Sequence, residues 1–195
     1  MEQETIFRIL TAVLLFTGFG IGSYFRHQAE RHGGRLDQSG NKVIVLLRLL
    51  SLAVVWPLFA YLLNPAWVRW AQMDLPVWVR WAAVGTAVLM VPAIYWMYTN
   101  IGRNISPSHT TREGHQLVTT GPYQYIRHPL YTFGTIFMLS LALVTGLWWL
   151  LVGFGLPLAV LIWRIPREEA NLVARFGDEY RAYMARTGRF LPKLR

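Results

Sequence analysis

The chain has 195 residues, of which 54% are hydrophobic and 15% are charged, with a net charge of +9 and no cysteine. Soluble domains carry about 25% charged residues, so this composition argues against an ordinary soluble protein. The lack of cysteine excludes disulfide bonds, thiolate nucleophiles and cysteine metal sites.

The apolar residues are gathered in blocks long enough to cross a hydrocarbon core, which takes about 20 residues each. The blocks predict an all-α integral membrane protein with five transmembrane helices, the last two a tight helical hairpin, and a C-terminal amphipathic surface helix. This architecture leaves room for one modest polar site and for no separate soluble domain.

The first half, residues 1–98, is predicted to hold three spans at 6–24, 43–63 and 78–98. The first block is long and lacks a small-residue cleavage site, which predicts a retained span and not a signal peptide. A basic loop joins the first two spans. Tryptophans surround the connection to the third span, which is typical of a membrane–water interface. They are Trp67, Trp70, Trp78 and Trp81.

The second half, residues 99–195, begins with a polar loop over 99–128. The apolar run 129–163 would form about 50 Å of helix at 1.5 Å per residue, which is too long for one crossing. We therefore predict a tight hairpin that turns at Thr145 and Gly146.

Residues 164–195 are predicted to form the amphipathic helix, with Pro166 in its first turn, where the missing backbone donor costs little. An apolar stripe follows at helical spacing. It comprises Leu172, Val173, Phe176, Tyr180, Tyr183 and Met184.

Most of the 19 lysines and arginines lie in the loops after the first and third spans and in the C-terminal segment. The positive-inside rule places these segments in the cytoplasm and the N-terminus outside. A basic chain can also indicate nucleic-acid binding, but this alternation explains the charge better, and we expect no nucleic-acid partner. The same count places the 99–128 loop and the C-terminal helix on one side of the membrane.

Residues 113–131 are the most polar stretch between long apolar segments. Histidine, tyrosine and arginine alternate here with glycine and proline, which suits a polar cofactor site at a membrane surface, although an ordinary interhelical loop has a similar composition.

Arg164 and Glu168 are four residues apart and share a helical face. They either line a site or form a salt bridge that only anchors the helix. The histidines lack helical ligand spacing, so no metal site is predicted.

The second half resembles the isoprenylcysteine carboxyl methyltransferase family. The resemblance rests on five motifs in order: Gly-His-Gln-Leu-Val-Thr-Thr-Gly-Pro-Tyr at 114–123, Arg-His-Pro-Leu-Tyr at 127–131, Arg164 with Glu168-Glu169, Phe-Gly-Asp-Glu-Tyr-Arg-Ala-Tyr at 176–183, and Leu191-Pro192. Phospholipid N-methyltransferases share the general pattern. The first two spans match only as apolar blocks.

This resemblance implies S-adenosylmethionine as the methyl donor, S-adenosylhomocysteine as the product, and a lipophilic or lipidated acceptor taken from the membrane lipids. It assigns catalytic roles to Arg164, Glu168 and His128, with Arg164 facing the acceptor. It also implies a set of cofactor contacts. These are His115, Gln116, Leu117, Val118, Tyr123, His128, Pro129, Leu130, Tyr131 and Glu168.

The motifs do not decide whether the methyl acceptor is a carboxylate or an amine. A carboxylate is ionised at neutral pH and needs no base, whereas an amine must lose a proton, for which His128 or Glu168 is the candidate. A related layout occurs in sterol-reductase-like membrane enzymes that bind NADPH, where Arg103 and Arg112 could meet its phosphate. A non-catalytic membrane scaffold is the third alternative. The sequence leaves the oligomeric state undetermined.

Overall fold

The computed structural model describes residues 2–32, 52, 55–101 and 117–193, and these are helical with short connections. No strand occurs in those ranges, only two isolated bridges, which confirms the all-α class for the described part of the chain. Two short 3-10 helices cover Pro65–Ala71 and Gly121–Gln124. The α-helices are α1 Glu2–His32, α2 at 55–63, α3 Val77–Ile101, α4 Pro129–Thr145, α5 Trp148–Phe176 and α6 Asp178–Arg186.

Among the residues that the structure describes, three helices are long and apolar enough to cross a membrane: α1 over Glu2–Ala29, α3 and α5. The apolar α4 is shorter, and most of the predicted second span, 43–63, lies outside the described residues. Helix α1 continues past its predicted end to His32. The beginning of the predicted basic loop is therefore helical, with Arg26 and Arg31 on this extension.

The core lies where α3 and α4 pack together, with α1 against both and α5 against α4. Phe137 and Leu141 of α4 are fully buried, as is Ala87 of α3. The tryptophans predicted at the interface, among them Trp67 and Trp78, remain exposed at one end of the bundle, as an interfacial position requires.

The predicted hairpin is confirmed between α4 and α5. Gly146 has a φ of 68°, in the left-handed region that glycine adopts without a steric cost. Its backbone N–H caps α4 on Ala142, and its carbonyl accepts from the Met73 N–H at 2.7 Å. The turn is thus fixed both to its own helix and to the connection before α3.

The predicted helix start at residue 164 is wrong. Helix α5 runs without a break through Pro166 to Phe176, and the chain divides at Gly177, after which α6 begins. Proline within a helix removes one backbone hydrogen bond, but membrane helices tolerate it where neighbouring groups compensate. The predicted apolar stripe is consequently shared between α5 and α6, and its tyrosines, Tyr180 and Tyr183, are buried.

A buried charged cluster joins four helices at the end of the bundle where α1 begins. Arg80 donates to both oxygens of Glu4, at 2.8 and 3.2 Å, and to the Val144 carbonyl at 2.8 Å. The Tyr61 hydroxyl donates to Glu4 at 2.6 Å. Arg8 donates to the carbonyls that end α2. We call Glu4, Arg8, Tyr61 and Arg80 the Glu4 network.

Candidate functional site

The loop before α4 is held against the end of α3 by a tight turn. Gly121 has a φ of 60°, and a side chain there would collide with Asn100. Pro122 follows it in the 3-10 helix Gly121–Gln124. A turn with no room for a side chain places Tyr123 in the interior. Burial raises the pKa of the Tyr123 hydroxyl, and Tyr183 and Tyr98 act in the same direction.

The C-terminal arm, residues 187–190, is bonded along this loop. Gly188 donates to the Tyr125 carbonyl at 3.1 Å and accepts from the Arg127 N–H at 2.9 Å. The His128 N–H donates to the Arg189 carbonyl at 3.1 Å, and the Thr132 hydroxyl donates to Phe190 at 2.9 Å.

Helix α6 adds a further contact to the same loop, because the Tyr183 hydroxyl donates to the Tyr123 carbonyl at 2.6 Å. The arm and α6 together fix the backbone of residues 123–128.

A buried carboxylate ties the loop to α5 and to the arm. Arg127 Nε donates to Glu169 Oε1 at 2.9 Å, and Arg189 donates to Oε2 at 2.6 Å. The side chains of Arg127 and Glu169 are only 8% and 5% exposed. Arg127 also donates to the Thr187 carbonyl at 2.5 Å. We call Arg127, His128, Glu169 and Arg189 the Glu169 network.

His128 completes this network, and the surroundings of its ring nitrogen Nε2 are unusual. Its side chain is buried, and Nε2 lies 3.5 Å from Glu169 Oε1, too far for a hydrogen bond of ordinary geometry. The ring stacks on Tyr131 with centroids 5.4 Å apart and planes within 7°. Burial lowers the pKa of His128, against the opposite influence of the carboxylates of Glu168 and Glu169. The imidazole is therefore neutral near pH 7.

Glu168 points to a different set of groups from its neighbour. One of its oxygens accepts from the Tyr131 hydroxyl at 3.2 Å. It is also within electrostatic reach of His128 and Tyr123. Arg164, one turn earlier on α5, lies within electrostatic reach of Tyr131.

The structure thus gathers Tyr123, His128, Tyr131, Glu168 and Arg164 at one end of the bundle. The other predicted residues lie in different surroundings. Pro129 is buried at the start of α4, Leu117 and Val118 are half-buried in the loop, and Leu130 is 42% exposed and outside the cluster. His115 and Gln116 lie outside the described residues.

Three residues of the site received no individual role from the sequence: Arg127, Glu169 and Arg189. Arg127 and Glu169 appear there only as members of motifs, Arg127 in 127–131 and Glu169 beside Glu168. A signal was present, because Arg127 adjoins His128 and Glu169 adjoins Glu168. Their shared partner is 42 residues away for Arg127 and 20 for Arg189, and local spacing does not reveal it. Within the described ranges, no group of three His, Asp or Glu side chains could hold a metal ion.

Comparisons with known proteins identify a family and several individual relatives. A family model described as phospholipid methyltransferase matches residues 78–179, just over half of the chain. A protein-S-isoprenylcysteine O-methyltransferase from Schizosaccharomyces pombe is 38% identical over 79 residues, which is 40% of this chain and 34% of the relative.

Two bacterial proteins also match. The nickel-cobalt-cadmium resistance protein NccN of Alcaligenes xylosoxydans xylosoxydans is 35% identical over 83 residues, 43% of this chain and 39% of the relative. The cobalt-zinc-cadmium resistance protein CzcN of Cupriavidus metallidurans is 32% identical over 83 residues, 43% of this chain and 38% of the relative. The aligned part therefore spans less than half the length of each of these curated relatives.

Proposed function

The chain belongs to the phospholipid methyltransferase family, and from that membership we propose that it transfers a methyl group from S-adenosylmethionine to a lipophilic acceptor at the cytosolic membrane face. One observation carries the proposal. His128, Tyr131 and Glu168, which come from two parts of the chain, meet beside Arg164 inside the region that matches the family.

The residues present fit a cationic methyl donor. Glu168 supplies a carboxylate next to the aromatic side chains of Tyr123 and Tyr131, and carboxylates and aromatic faces both attract positive charge. When bound, S-adenosylmethionine would supply an electrophilic methyl group on a positively charged sulfur. We propose that Leu117 and Val118 contact the donor, with His115, Gln116, Pro129 and Leu130 as the remaining contacts that the resemblance implies.

We favour a carboxylate as the acceptor. Arg164 lies one turn before Glu168 on α5 and within electrostatic reach of Tyr131, and a guanidinium can hold a carboxylate by two parallel hydrogen bonds. A carboxylate is ionised at pH 7, so these bonds would orient the nucleophile without a proton transfer. The match to an isoprenylcysteine O-methyltransferase of Schizosaccharomyces pombe supports this choice.

An amine acceptor is the second candidate, and His128 is the observation that favours it. Its imidazole is buried, and burial lowers its pKa, so the ring is neutral near pH 7. Such a group can accept the proton that an amine must lose. The name of the matched family, phospholipid methyltransferase, also favours an amine lipid headgroup.

We further propose the five-span topology, with the N-terminus outside and the C-terminus in the cytoplasm, on the basis of the positive-inside rule. Reporter tags at the two termini test it: we expect opposite sides of the membrane, and reporters on the same side would overturn the five-span count.

Calorimetric titration of the detergent-purified protein with S-adenosylhomocysteine, with NADPH in parallel, tests the reaction class. We expect binding of S-adenosylhomocysteine alone. Binding of NADPH alone would indicate a reductase and remove the basis for the role of Arg164.

Arg164→Ala tests the acceptor assignment. We expect turnover to be abolished while the affinity for S-adenosylhomocysteine falls much less, because Arg164 would hold the acceptor and not the donor. Arg167→Ala is the matched control: this exposed arginine is three residues away and stacks on Trp163 at 5.0 Å. Equal losses of turnover and donor affinity in Arg164→Ala would contradict the assignment.

A further inference from the structure

The two adjacent glutamates of α5 have different partners, and the difference suggests a role for the second one. We propose that Glu169 is a positioning residue that holds the imidazole of His128 in the tautomer with its hydrogen on Nε2, which leaves Nδ1 as the basic nitrogen of the ring. The catalytic meaning of this inference rests on the proposed function, whereas the tautomer itself can be measured without any substrate.

Glu169 is fixed from both sides. Arg127 holds Oε1 at 2.9 Å and Arg189 holds Oε2 at 2.6 Å, so the carboxylate can neither rotate nor move away without breaking a charged hydrogen bond. Arg127 and His128 are neighbours in sequence, and their backbone N–H groups are bonded to Gly188 and Arg189 of the arm. The position of Glu169 relative to the imidazole is therefore set by α5, the loop and the arm together.

The polar surroundings of Nε2 decide the tautomer. Nε2 is buried, has no hydrogen-bond partner among the described residues, and faces Glu169 Oε1 at 3.5 Å. An N–H facing a carboxylate oxygen is attracted to it, whereas an unprotonated nitrogen would turn its lone pair towards a negative charge. Oε1 already accepts from Arg127, but a carboxylate oxygen has a second lone pair. The stack on Tyr131 fixes the plane of the ring.

The charges around His128 predict how its titration should change when a neighbouring charge is removed. The imidazole faces Glu168 and Glu169 from α5, Arg127 from the loop and Tyr131 from α4, while Arg189 of the arm reaches it through Glu169. Removing the negative charge of Glu169 should make His128 harder to protonate. Removing the positive charge of Arg189 should leave Glu169 less neutralised and make His128 easier to protonate. These opposite shifts are expected where the charge of Glu169 acts directly on the imidazole, and the tautomer reports the orientation that Glu169 imposes.

The test is ¹⁵N NMR of the full chain in detergent micelles with labelled histidine, recorded from pH 5 to 8 without ligand. His128→Gln assigns the His128 signals among the five histidines. We expect the wild-type ring to show a protonated Nε2 and an unprotonated Nδ1. Glu169→Gln should move the titration midpoint of His128 to lower pH, or out of the range, and Arg189→Ala should move it to higher pH.

Arg181→Ala is the matched control for Arg189→Ala. It removes the same charge from the same region, but Arg181 pairs with the exposed Asp178 and does not contact Glu169. We expect an unchanged midpoint in this variant. A wild-type ring protonated on Nδ1, or equal shifts in Arg189→Ala and Arg181→Ala, would overturn the proposal.

Glu169→Gln removes a buried charge and could fail to fold. Arg189→Ala keeps the proposal testable in that case, because the Arg189 side chain is 45% exposed and Arg127 remains paired. Calorimetry with S-adenosylhomocysteine on the same samples separates the two proposals. A protein that does not bind this ligand but shows the expected tautomer and shifts would refute the methyltransferase function and retain the positioning role of Glu169.

Discussion

The Glu4 and Glu169 networks stand at opposite ends of the bundle and combine the same groups, a partly or fully buried carboxylate with arginine and aromatic partners. In the Glu4 network both carboxylate oxygens are bonded within helices α1, α2 and α3, and no group there changes its charge near neutral pH. The Glu169 network binds a loop and a C-terminal arm to α5 and contains a buried imidazole with an unpaired nitrogen.

The difference teaches how one kind of ion pair serves two purposes. At the Glu4 end the charges join the ends of four helices, and the partners are fixed-charge groups. At the Glu169 end the ion pairs hold non-helical backbone in place next to Glu168, Tyr131 and Arg164. Buried ion pairs contribute little net stability but are costly to break, so they are suited to fixing positions.

The largest effect is expected when the Glu169 network is broken. Glu169→Ala leaves Arg127 buried without its carboxylate, which should cost about 3–5 kcal/mol in the free energy of unfolding. Denaturant unfolding in detergent measures it. Asp178→Ala is the control, because Asp178 is 95% exposed and its pair with Arg181 should contribute no measurable stability. A loss no larger than that of the control would show that Glu169 does not hold the arm.

A smaller loss is expected at the other end. Arg80→Ala removes four hydrogen bonds, to Glu4, Tyr61 and the Val144 carbonyl. Because Glu4 is 35% exposed and water can replace part of them, we expect a loss of about 1–3 kcal/mol. The affinity for S-adenosylhomocysteine should stay the same. A parallel loss of affinity would mean that the two ends are coupled, and the comparison between a structural and a functional network would fail.

Glu168→Gln tests the proposed donor site separately from the adjacent Glu169 network. If Glu168 contacts the donor as proposed, we expect the affinity for S-adenosylhomocysteine to fall about tenfold, equivalent to about 1.4 kcal/mol, because a charged hydrogen-bond acceptor is lost. The free energy of unfolding should change much less than in Glu169→Ala. An unchanged dissociation constant would remove Glu168 from the site.

The smallest effect concerns pH. Burial lowers the pKa of His128 below the ordinary value of 6.5, so the folded protein resists protonation of this ring. The stability that results is complete above pH 6.5 and is lost as the pH falls towards the folded pKa, by at most about 1.4 kcal/mol per pH unit.

Unfolding of the wild type and of His128→Asn, compared from pH 7.5 to 5, measures this effect. The wild type should lose more stability than the variant over this interval. Equal losses would mean that His128 is protonated as easily in the folded protein as in the unfolded chain.

Much of the fold follows from local sequence. The helical blocks, the turn at Gly146 and the exposed tryptophans are set by hydrophobic length, by the φ that glycine allows and by interfacial preference. The start of the C-terminal helix was misjudged because Pro166 is a local signal for a helix start, whereas α5 runs through this proline to Phe176.

The sequence by itself determined the family, and it predicted the site roles of His128, Tyr131 and Glu168, because these residues sit in short motifs that occur in order along the chain. Only the tertiary structure decided that adjacent glutamates face different partners. Successive residues on a helix point about 100° apart. Glu168 is therefore directed towards Tyr131 and Glu169 towards Arg127 and Arg189, and partners this distant in sequence are selected by the path of the chain.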